Sequence, residues 1–419
     1  MRLQLSSLLR GAASALAFAT TALAVSPARA QVVVFDTAHT LWHEAPTRTN
    51  MTVYTPGVAI AATPAPWITV RGSWEADVVS GASVATKAGP AYQATNPGVD
   101  VVTTASVKDF RQAPSGALTL RKGDVTYTAS YTYGTEHDYR SNSLFVGART
   151  DVFSHDTQLD LSFARNWDKV CDRIQGQTDR PPRYRALEDS TGCFTGDNPA
   201  RTRRDLSIDG LQATWSQAWT SVFATQLTYT AQILDGFQSS PYRSVILGQG
   251  IKAQEHHPEN RTRQSLTARA NLYVRPLKLA VRLSGRAYRD TWQIASGTGE
   301  LEAERYLFEG FRLSARGRYY RQSGAIFWSD DYTGGDPPLG PKGQYWTGDR
   351  ELSPFSSLGL GFRATYAIAP AKPIWIISAV KASVSGDAVQ FDYDEYTLGG
   401  TPVTNARAYV IGANLSLSF

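Results

Sequence analysis

A short polar cluster holds the residues of this chain that are best suited to bind a metal ion or accept a proton. It contains Glu136, His137, Asp138 and Tyr139. A histidine beside two carboxylates can ligate a divalent cation or act as a base. One histidine with adjacent acids is a small ligand set, and neighbouring residues of an extended segment point in opposite directions. We therefore expect a hydrogen-bonded loop and assign no metal site; His137 and Asp138 are the candidate ligands for the alternative, a bound divalent cation.

A second histidine cluster offers the same two alternatives. His256 and His257 lie between Glu255 and Glu259, so they could ligate a metal ion or stabilise a loop. A serine hydrolase needs a nucleophile held against a base, and the G-x-S-x-G segment that often provides it is missing. We therefore assign no catalytic residue and expect that the protein is not an enzyme, with an embedded hydrolase as the remaining alternative.

Charged side chains lie at even-numbered positions, and so on one face, in three consecutive predicted strands, with an acidic row between two basic rows. This charge ladder consists of Lys278, Arg282, Arg286, Glu300, Glu302, Glu304, Arg312, Arg316 and Arg318. We expect Arg286 to pair with Glu302 and Glu304 with Arg316, each opposed pair contributing about 0.2–1 kcal/mol. The ladder either stiffens a wall or also sets the electric field of an aqueous pore. Its alternating signs predict weak ion selectivity.

Cys171 and Cys193 are the only cysteines, and both lie in one long polar segment. Two cysteines in one loop of an exported protein are expected to form a disulfide. Closing a loop of about twenty residues contributes about 3 kcal/mol in the chain-entropy description. A redox-active pair would require CxxC spacing, which this pair lacks. Without a haem-attachment CxxCH motif or a second cysteine pair, we expect no cofactor.

The last fourteen residues show what kind of element must position these side chains. Tyr409, Ile411 and Leu415 alternate with small or polar residues, and the chain ends at Phe419. A period of two with one apolar face is typical of a transmembrane β-strand between lipid and a wet lumen. The alternative is the final strand of a soluble sandwich.

The same alternation predicts sixteen strands, and an even count places both termini on one side, the periplasm in bacterial barrels. The predicted strands cover residues 32–42, 51–62, 67–78, 116–120, 125–133, 141–150, 157–167, 205–217, 222–233, 265–274, 277–289, 299–308, 311–321, 352–367, 374–384 and 406–419. Short and long connections alternate along the chain, which is the pattern of an up-and-down barrel with short periplasmic turns and long extracellular loops. We expect Asp77 and the cluster at 136–139 to lie at the extracellular rim.

The N-terminus predicts export. Arg2 and Arg10 flank a basic start, an apolar run follows, and Ala28 and Ala30 form a small-x-small cleavage site. We expect a signal peptide over residues 1–30 and a barrel over residues 31–419. The net charge of +5 comes without a basic run or aromatic repeat, so no nucleic-acid partner is expected.

Several blocks of the chain resemble an uncharacterised bacterial outer-membrane family, domain of unknown function family 3570. They are DVVSGAS at 77–83, GTEHDYRS at 134–141, RAYRDTW at 286–292, RYYRQSGAIF at 318–327 and LSPF at 352–355. The resemblance implies an outer-membrane barrel without an established reaction. It also implies an association with exported thioredoxin-like and flavinylation proteins, hence with an envelope redox assembly. The chain departs from the family pattern at Thr291, where an acidic residue is expected.

Three hypotheses for function follow. The first is a porin-like pore or channel for small solutes in the outer membrane. The second is a non-conducting scaffold or sleeve of an envelope complex, and the third is an embedded enzyme using rim residues such as His137. The expected partners are outer-membrane lipid, the barrel-assembly machinery, which would recognise the C-terminal strand ending at Phe419, and periplasmic envelope proteins.

Overall fold

Sixteen antiparallel strands close into one barrel, as the sequence predicts. The computed structural model describes residues 32–45, 51–80, 108–136, 138–153, 155–173, 193–194, 201–240, 244–247, 251–330, 332, 345–398, 401–402 and 405–419. The barrel strands are β1 (Val32–Ala45), β2 (Met51–Ala65), β3 (Ile68–Ser80), β4 (Lys108–Lys122), β5 (Val125–Thr135), β6 (Tyr139–Val152), β7 (Thr157–Arg173), β8 (Arg201–Thr220), β9 (Phe223–Gly236), β12 (Asn260–Val274), β13 (Leu279–Asp290), β14 (Ala295–Phe308), β15 (Phe311–Gln322), β16 (Phe355–Ile368), β17 (Ala379–Tyr393) and β20 (Asn405–Ser418). Two hairpins lie in connections: β10 (Ser244–Leu247) with β11 (Ile251–Gln254), and β18 (Thr397–Leu398) with β19 (Thr401–Pro402).

Each barrel strand follows its neighbour in the chain, and β20 returns to β1. At this closure Phe35 lies opposite Leu417 and Leu41 opposite Ile411. The backbone nitrogen of Phe419 donates to the carbonyl of Val33 at 2.9 Å. Closure removes the unpaired edges that an open sheet would present. No helix among the described residues is long and apolar enough to cross a membrane.

The period of two places apolar side chains on the outer face of the wall. On β16, Leu358, Leu360 and Phe362 are exposed on this face, and they alternate with Ser357 and Gly359 on the opposite face. Leucines on β13 and β14 continue the outer surface, with Leu283 directly opposite Leu301. A wall of this kind is stable where its outer side meets hydrocarbon and its inner side meets water.

The two ends of the barrel differ. The described chain ends and the connections 66–67, 123–124, 221–222 and 309–310 lie at one end, here named the terminal end. The connections 81–107, 174–200, 237–259 and 323–354 lie at the other end, here named the loop end. Every candidate site residue can therefore be placed by its height between these two ends.

The bounds of several predicted strands were wrong, by up to six residues in strands such as β7 (Thr157–Arg173) and β12 (Asn260–Val274), and two predictions were further off. The predicted strand 116–120 is β4, which begins at Lys108 and includes Pro114. Proline cannot donate to a ladder, and Pro114 pairs with Trp74 of β3 but with no residue of β5. The predicted strand 374–384 is β17, which begins at Ala379 and continues to Tyr393. Its second half contains Gly386 and Asp387, which read as a loop, whereas Ile374 and Ile377 form an isolated bridge in the turn before it.

Candidate functional site: the charged lumen and its loop cap

The charge ladder faces the interior of the barrel. Arg149 on β6 and Arg318 on β15, which lie on opposite sides of the barrel, line one cavity of about 580 Å³ together with Arg286 and Glu300. A second cavity, of about 490 Å³, is lined by Arg282, Glu300 and Glu302. Charges on this face are in contact with lumen water, where they avoid the roughly 2–4 kcal/mol cost of a basic residue at the bilayer midplane.

The pairing of the ladder differs from the predicted register. Arg282 donates to Glu302 at 2.8 Å and also reaches Glu304 at 3.5 Å. Arg312 reaches the same Glu304 oxygen at 3.4 Å. The predicted pairs of Arg286 with Glu302 and of Glu304 with Arg316 were therefore wrong. An alternating pattern fixes which side chains face the lumen, but it does not distinguish registers that differ by two or four residues, because such shifts leave every polar side chain on the same face.

Arg316 pairs with an acid that the predicted ladder did not include. Its Nε and one terminal nitrogen donate to Oδ1 of Asp387 at 2.9 and 2.7 Å. Arg316 is on β15 and Asp387 on β17, and the residue between them on β16 is Gly361. A Cβ added to Gly361 would overlap the Asp387 carboxylate. Because Gly361 has no side chain, the Arg316 side chain has space to cross β16 and reach Asp387 on β17.

The remaining ladder members are not paired with one another. Arg286, Arg318 and Glu300 form no ion pair within the part of the chain that the structure describes. The guanidinium groups of Arg286 and Arg318 each lie 5.8 Å from the ring centre of a tyrosine two positions further along, Tyr288 and Tyr320. Lys278 does not belong to the ladder: it follows the 3-10 turn Arg275–Leu277 with a φ of 49°, at the terminal end.

Two of the predicted rim residues meet at one arginine. Arg111 on β4 contacts Asp77 at 3.3 Å and Glu136 at 3.6 Å. Asp77 also accepts a hydrogen bond of 2.6 Å from Thr55. All of these groups lie near the loop end, so Asp77 and Glu136 are brought together, as parts of an ion-pair network rather than of a metal site.

Two other rim residues contact β7. The hydroxyl of Tyr139 donates to the carboxylate of Asp168 on β7, and the backbone carbonyl of Asp138 accepts from Cys171 at 2.7 Å. His137 lies outside the described residues. Among the residues that are described, no group of three or more His, Cys, Asp or Glu side chains is placed to hold a metal ion.

The predicted disulfide between Cys171 and Cys193 is confirmed, with Cα atoms 5.6 Å apart. Both cysteines are buried. The next residue, Phe194, lies between two guanidinium groups, with Arg140 at 4.5 Å and Arg203 at 5.0 Å from its ring centre. The disulfide and these two arginines therefore hold Cys193 and Phe194 against the loop end of β7 and its neighbouring strands.

A buried aromatic cluster covers part of the loop end. Its members come from connections 291–294, 323–354 and 394–404, and they are Trp292, Ile294, Ala325, Phe327, Trp328, Leu352 and Tyr396. Trp292 packs edge-on against Phe327, with ring centres 5.1 Å apart, and the Arg261 guanidinium lies 3.9 Å above the Trp292 ring. We name the described parts of these connections, with those of 237–259, the cap.

The cap also has a polar core. Glu255 accepts hydrogen bonds from the Thr347 hydroxyl at 2.7 Å and from the Gly348 nitrogen at 3.2 Å. His257 Nδ1 donates to the carbonyl of Gln238 at 3.0 Å, and its Nε2 lies 3.6 Å from Glu255. The second histidine cluster is thus a hydrogen-bonded part of the cap, joining connection 237–259 to connection 323–354.

Tyr332 lies in the same buried region. Its hydroxyl donates to the carbonyl of Phe327 at 2.5 Å and accepts from the backbone nitrogen of Thr347 at 2.9 Å. Burial raises the pKa of the Tyr332 hydroxyl well above its ordinary value, so this phenol stays neutral and can donate.

A buried ion pair attaches the cap to the first strand. Arg350 donates through both terminal nitrogens to the two oxygens of Glu44, one of these bonds being 2.8 Å long. Burial alone would lower the pKa of the Arg350 guanidinium, but the hydrogen bond to Glu44 and the electrostatic interactions with Tyr393, Glu44 and Tyr396 together outweigh burial, so the pKa is raised. Glu44 has the same parity on β1 as Asp36, which lines a lumen cavity. The cap therefore reaches the inner side of the mouth.

Several residues of these networks were missed from sequence: Arg111, Asp168, Asp387, Glu44 and Arg350. Arg111, Asp387 and Glu44 occupy lumen-facing positions of their strands, so strand parity was a signal that could have identified them. Arg350 lies in an irregular connection, where no periodicity exists to indicate its partner.

The chain belongs to the family described as a protein of unknown function (DUF3570), which matches residues 6–379. This confirms the resemblance noted from its sequence blocks. No curated protein matches the chain.

Solved structures with a similar shape include bacterial outer-membrane proteins. One is a bacterial polysaccharide outer membrane secretin, at 9% identity and a TM-score of 0.48, covering 94% of this chain and 100% of that one. OccD3 (OpdP) of Pseudomonas aeruginosa has 7% identity and a TM-score of 0.42, covering 93% and 92%. OprD of the same organism has 8% identity and a TM-score of 0.42, covering 92% and 94%. These are similarities of shape alone.

Proposed function

We propose that this protein is a porin-like outer-membrane barrel through which small solutes pass. One observation carries the proposal: the inner face of a closed barrel is polar and charged and bears cavities of about 490, 580 and 570 Å³, while the outer face is apolar. A wet, charged interior within an apolar wall is what passive transport of polar solutes requires.

The proposal includes the route by which the protein reaches the membrane. The signal peptide is removed after Ala30, the terminal end faces the periplasm, and the β-strand ending before Phe419 is recognised by the barrel-assembly machinery. The pairing of β20 with β1 supports this role, because the last strand must form the seam that completes the barrel. Outer-membrane fractionation, heat-dependent gel mobility and the N-terminal sequence of the purified protein test this part.

Conductance is the decisive test of transport. The purified barrel in planar lipid bilayers is expected to give stepwise conductance. Arg282→Glu and Arg316→Glu, which reverse a charge in the lumen, are expected to change it. Arg305→Glu is the matched control, because Arg305 alternates with the lumen-facing Glu304 and lies on the outer face. Unchanged conductance in both lumen variants, or no conductance in any preparation, would contradict the proposal.

The cap supports a second candidate, a non-conducting sleeve that holds periplasmic envelope proteins, including those of a redox assembly. Glu44, Arg350 and the aromatic cluster draw the described parts of the cap over the inner side of the mouth. A barrel that stays silent in bilayers, even after the cap is loosened, and that co-purifies with periplasmic proteins would favour this candidate.

A further inference from the structure

A third cavity, of about 570 Å³, lies near the terminal end of the lumen, and most of its charged lining residues are cations. Its charged members are Arg71, Arg282, Arg312, Arg363 and Lys381, with Asp36 and Glu304 as the only acids among them. Arg312 and Lys381 lie within the first three residues of β15 and β17, and this fixes the height of the cavity. The volume is in the range of small-molecule sites, roughly 300–1,000 Å³.

The acids near this cavity do not neutralise its cations. Asp36 pairs with Arg71 at 3.4 Å. Glu304 is shared between Arg282 and Arg312, and Arg282 has Glu302 as a further partner.

Two of the five cationic side chains that line this cavity have no acidic partner among the described residues. Arg363 and Lys381 form no ion pair with any residue that the structure describes, and both are exposed to the lumen. The wall therefore presents two uncompensated positive charges to whatever occupies the cavity.

Neutral hydrogen-bonding side chains surround these charges. Thr365 and Ser383 lie opposite each other on β16 and β17, and Asn414 lies beside Ser383 on β20. Hydroxyl and amide groups can donate to an oxyanion, and guanidinium and ammonium groups form the stronger, charge-assisted bonds to it. The uncompensated positive charges and the hydrogen-bond donors of this cavity therefore favour the same kind of ligand, an oxyanion.

We propose that this cavity is a binding site for an oxyanion, the carboxylate, phosphate or sulfate group of a small solute. Its use as a transport subsite rests on the proposed pore function, whereas anion binding itself does not. The site would raise the local concentration of anionic solutes at the terminal end of the lumen, as clefts lined by one sign of charge do.

A separate cavity of about 580 Å³, which shares no lining residue with the proposed site, also has more arginines than acids. Its lining includes Arg269, Arg286 and Arg318, none of which pairs with a carboxylate among the described residues. Glu300 is the unpaired acid on this wall, and Arg149 is matched by Asp160 at 3.1 Å. The cavity of about 490 Å³, which shares Arg282 with the proposed site, is in contrast lined by four acids. The uncompensated guanidinium groups at the site and in the 580 Å³ cavity favour anion preference, rather than the weak selectivity expected from alternating signs alone.

Calorimetric titration of sulfate into the processed, detergent-solubilised protein tests binding without requiring conduction. Wild type is expected to bind sulfate more tightly than chloride at equal ionic strength. The double variant Arg363→Gln with Lys381→Gln is expected to lose about a hundred-fold in affinity, because each of the two charge-assisted bonds is worth about ten-fold. Arg363→Lys, which keeps the charge, should retain most of the affinity.

The matched control is Arg305→Gln with Lys372→Gln. It removes the same two residue types and the same net charge, on the outer face and in the turn before β17, away from the cavity. Unchanged heat-dependent gel mobility in all variants verifies that the barrel is formed. Equal sulfate affinity in wild type and in the Arg363/Lys381 variant, or an equal loss in the control, would overturn the site.

Reversal potentials under a KCl gradient separate the two proposals. Anion preference that falls in the Arg363/Lys381 variant and not in the control supports both. Sulfate binding that depends on Arg363 and Lys381, in a barrel that never conducts, supports the site and removes the pore. Conduction without a sulfate site, or with cation preference, overturns the site and leaves the pore.

Discussion

Arg316 and Asp387 form an ion pair across an intervening strand, with contacts of 2.7 and 2.9 Å. Gly361 lies between them on β16, and the arginine side chain passes over it. The sequence places Glu304 much closer along the chain, yet the lumen geometry selects an acid 71 positions away. The ladder is thus part of a longer charged wall that continues from β13 to β17.

Gly361→Ala is expected to break this pair and strain the wall, because its Cβ would overlap the Asp387 carboxylate. Overpacking of this kind costs about 1–3 kcal/mol. The ion pair itself contributes less than about 1 kcal/mol, since Arg316 is 41% exposed. Thermal unfolding measured by gel mobility should show a lower midpoint.

Gly386→Ala is the control for this prediction, because a Cβ at Gly386 meets nothing within 4 Å. In an Asp387→Ala background the penalty of Gly361→Ala should shrink, because the clashing group is gone. An undiminished penalty in that background would show that Gly361 is needed for another reason.

Arg350→Met is expected to loosen the cap. Removing one partner of a buried pair leaves the other charge uncompensated, at a cost of about 3–5 kcal/mol, and the partner here is Glu44, which is 5% exposed. Limited proteolysis should cut connection 323–354 faster, and conductance should rise if the cap restricts the mouth. Arg321→Met is the matched control, since its pair with Asp394 is exposed and contributes little. Equal proteolysis of the two variants would contradict this role of Glu44.

Trp292→Ala is expected to destabilise the cap through lost packing. The residue is 4% exposed and contacts Phe327 and Arg261, so truncation should cost about 3–5 kcal/mol locally. Trp375→Ala, at a site 86% exposed at the terminal end, should leave cap proteolysis unchanged. The barrel of both variants should keep its heat-dependent mobility; loss of the barrel itself in Trp292→Ala would mean that the cap is required for closure.

Replacing both cysteines by serine is expected to release connection 174–200 without opening the barrel. The disulfide spans 22 positions, and a loop of this size is stabilised by about 3 kcal/mol. Protease cleavage within 174–192 should increase, and a reductant should have the same effect on wild type and none on the variant. Cleavage rates that do not respond to reduction would show that Arg140, Phe194 and Arg203 hold the segment without the disulfide.

The barrel could be predicted from sequence because it repeats. An alternation of two residues in strands such as β16 fixes which face is apolar, and the number of such segments gives the strand count. The register between strands could not be predicted in the same way. Glu300, Glu302 and Glu304 are identical acids spaced two residues apart on one face, so the pattern allows Arg282 to pair with any of them. Only the geometry of turns and of neighbouring strands chooses Glu302 and Glu304.

The cap could not be predicted, for a related reason. Its contacts, such as Thr347 with Glu255 across 92 positions, join irregular segments from different connections. No periodicity links such residues, and their partners are set by how far each connection extends over the mouth. The disulfide could be predicted from sequence because the chain has only two cysteines, so each has one possible partner within the chain.

The bond between Glu44 and Arg350 joins residues 306 positions apart. Glu44 lies on β1, which forms half of the seam, and Arg350 follows β15, the thirteenth barrel strand in chain order. Three barrel strands, β16, β17 and β20, still follow Arg350, so this pair requires β1 and the strands up to β15 but not the closed barrel. An assembly intermediate in which Glu44 and Arg350 have not yet met would expose the cap to proteases, so protease susceptibility of connection 323–354 during a pulse-chase would report when the first strand and this connection come together.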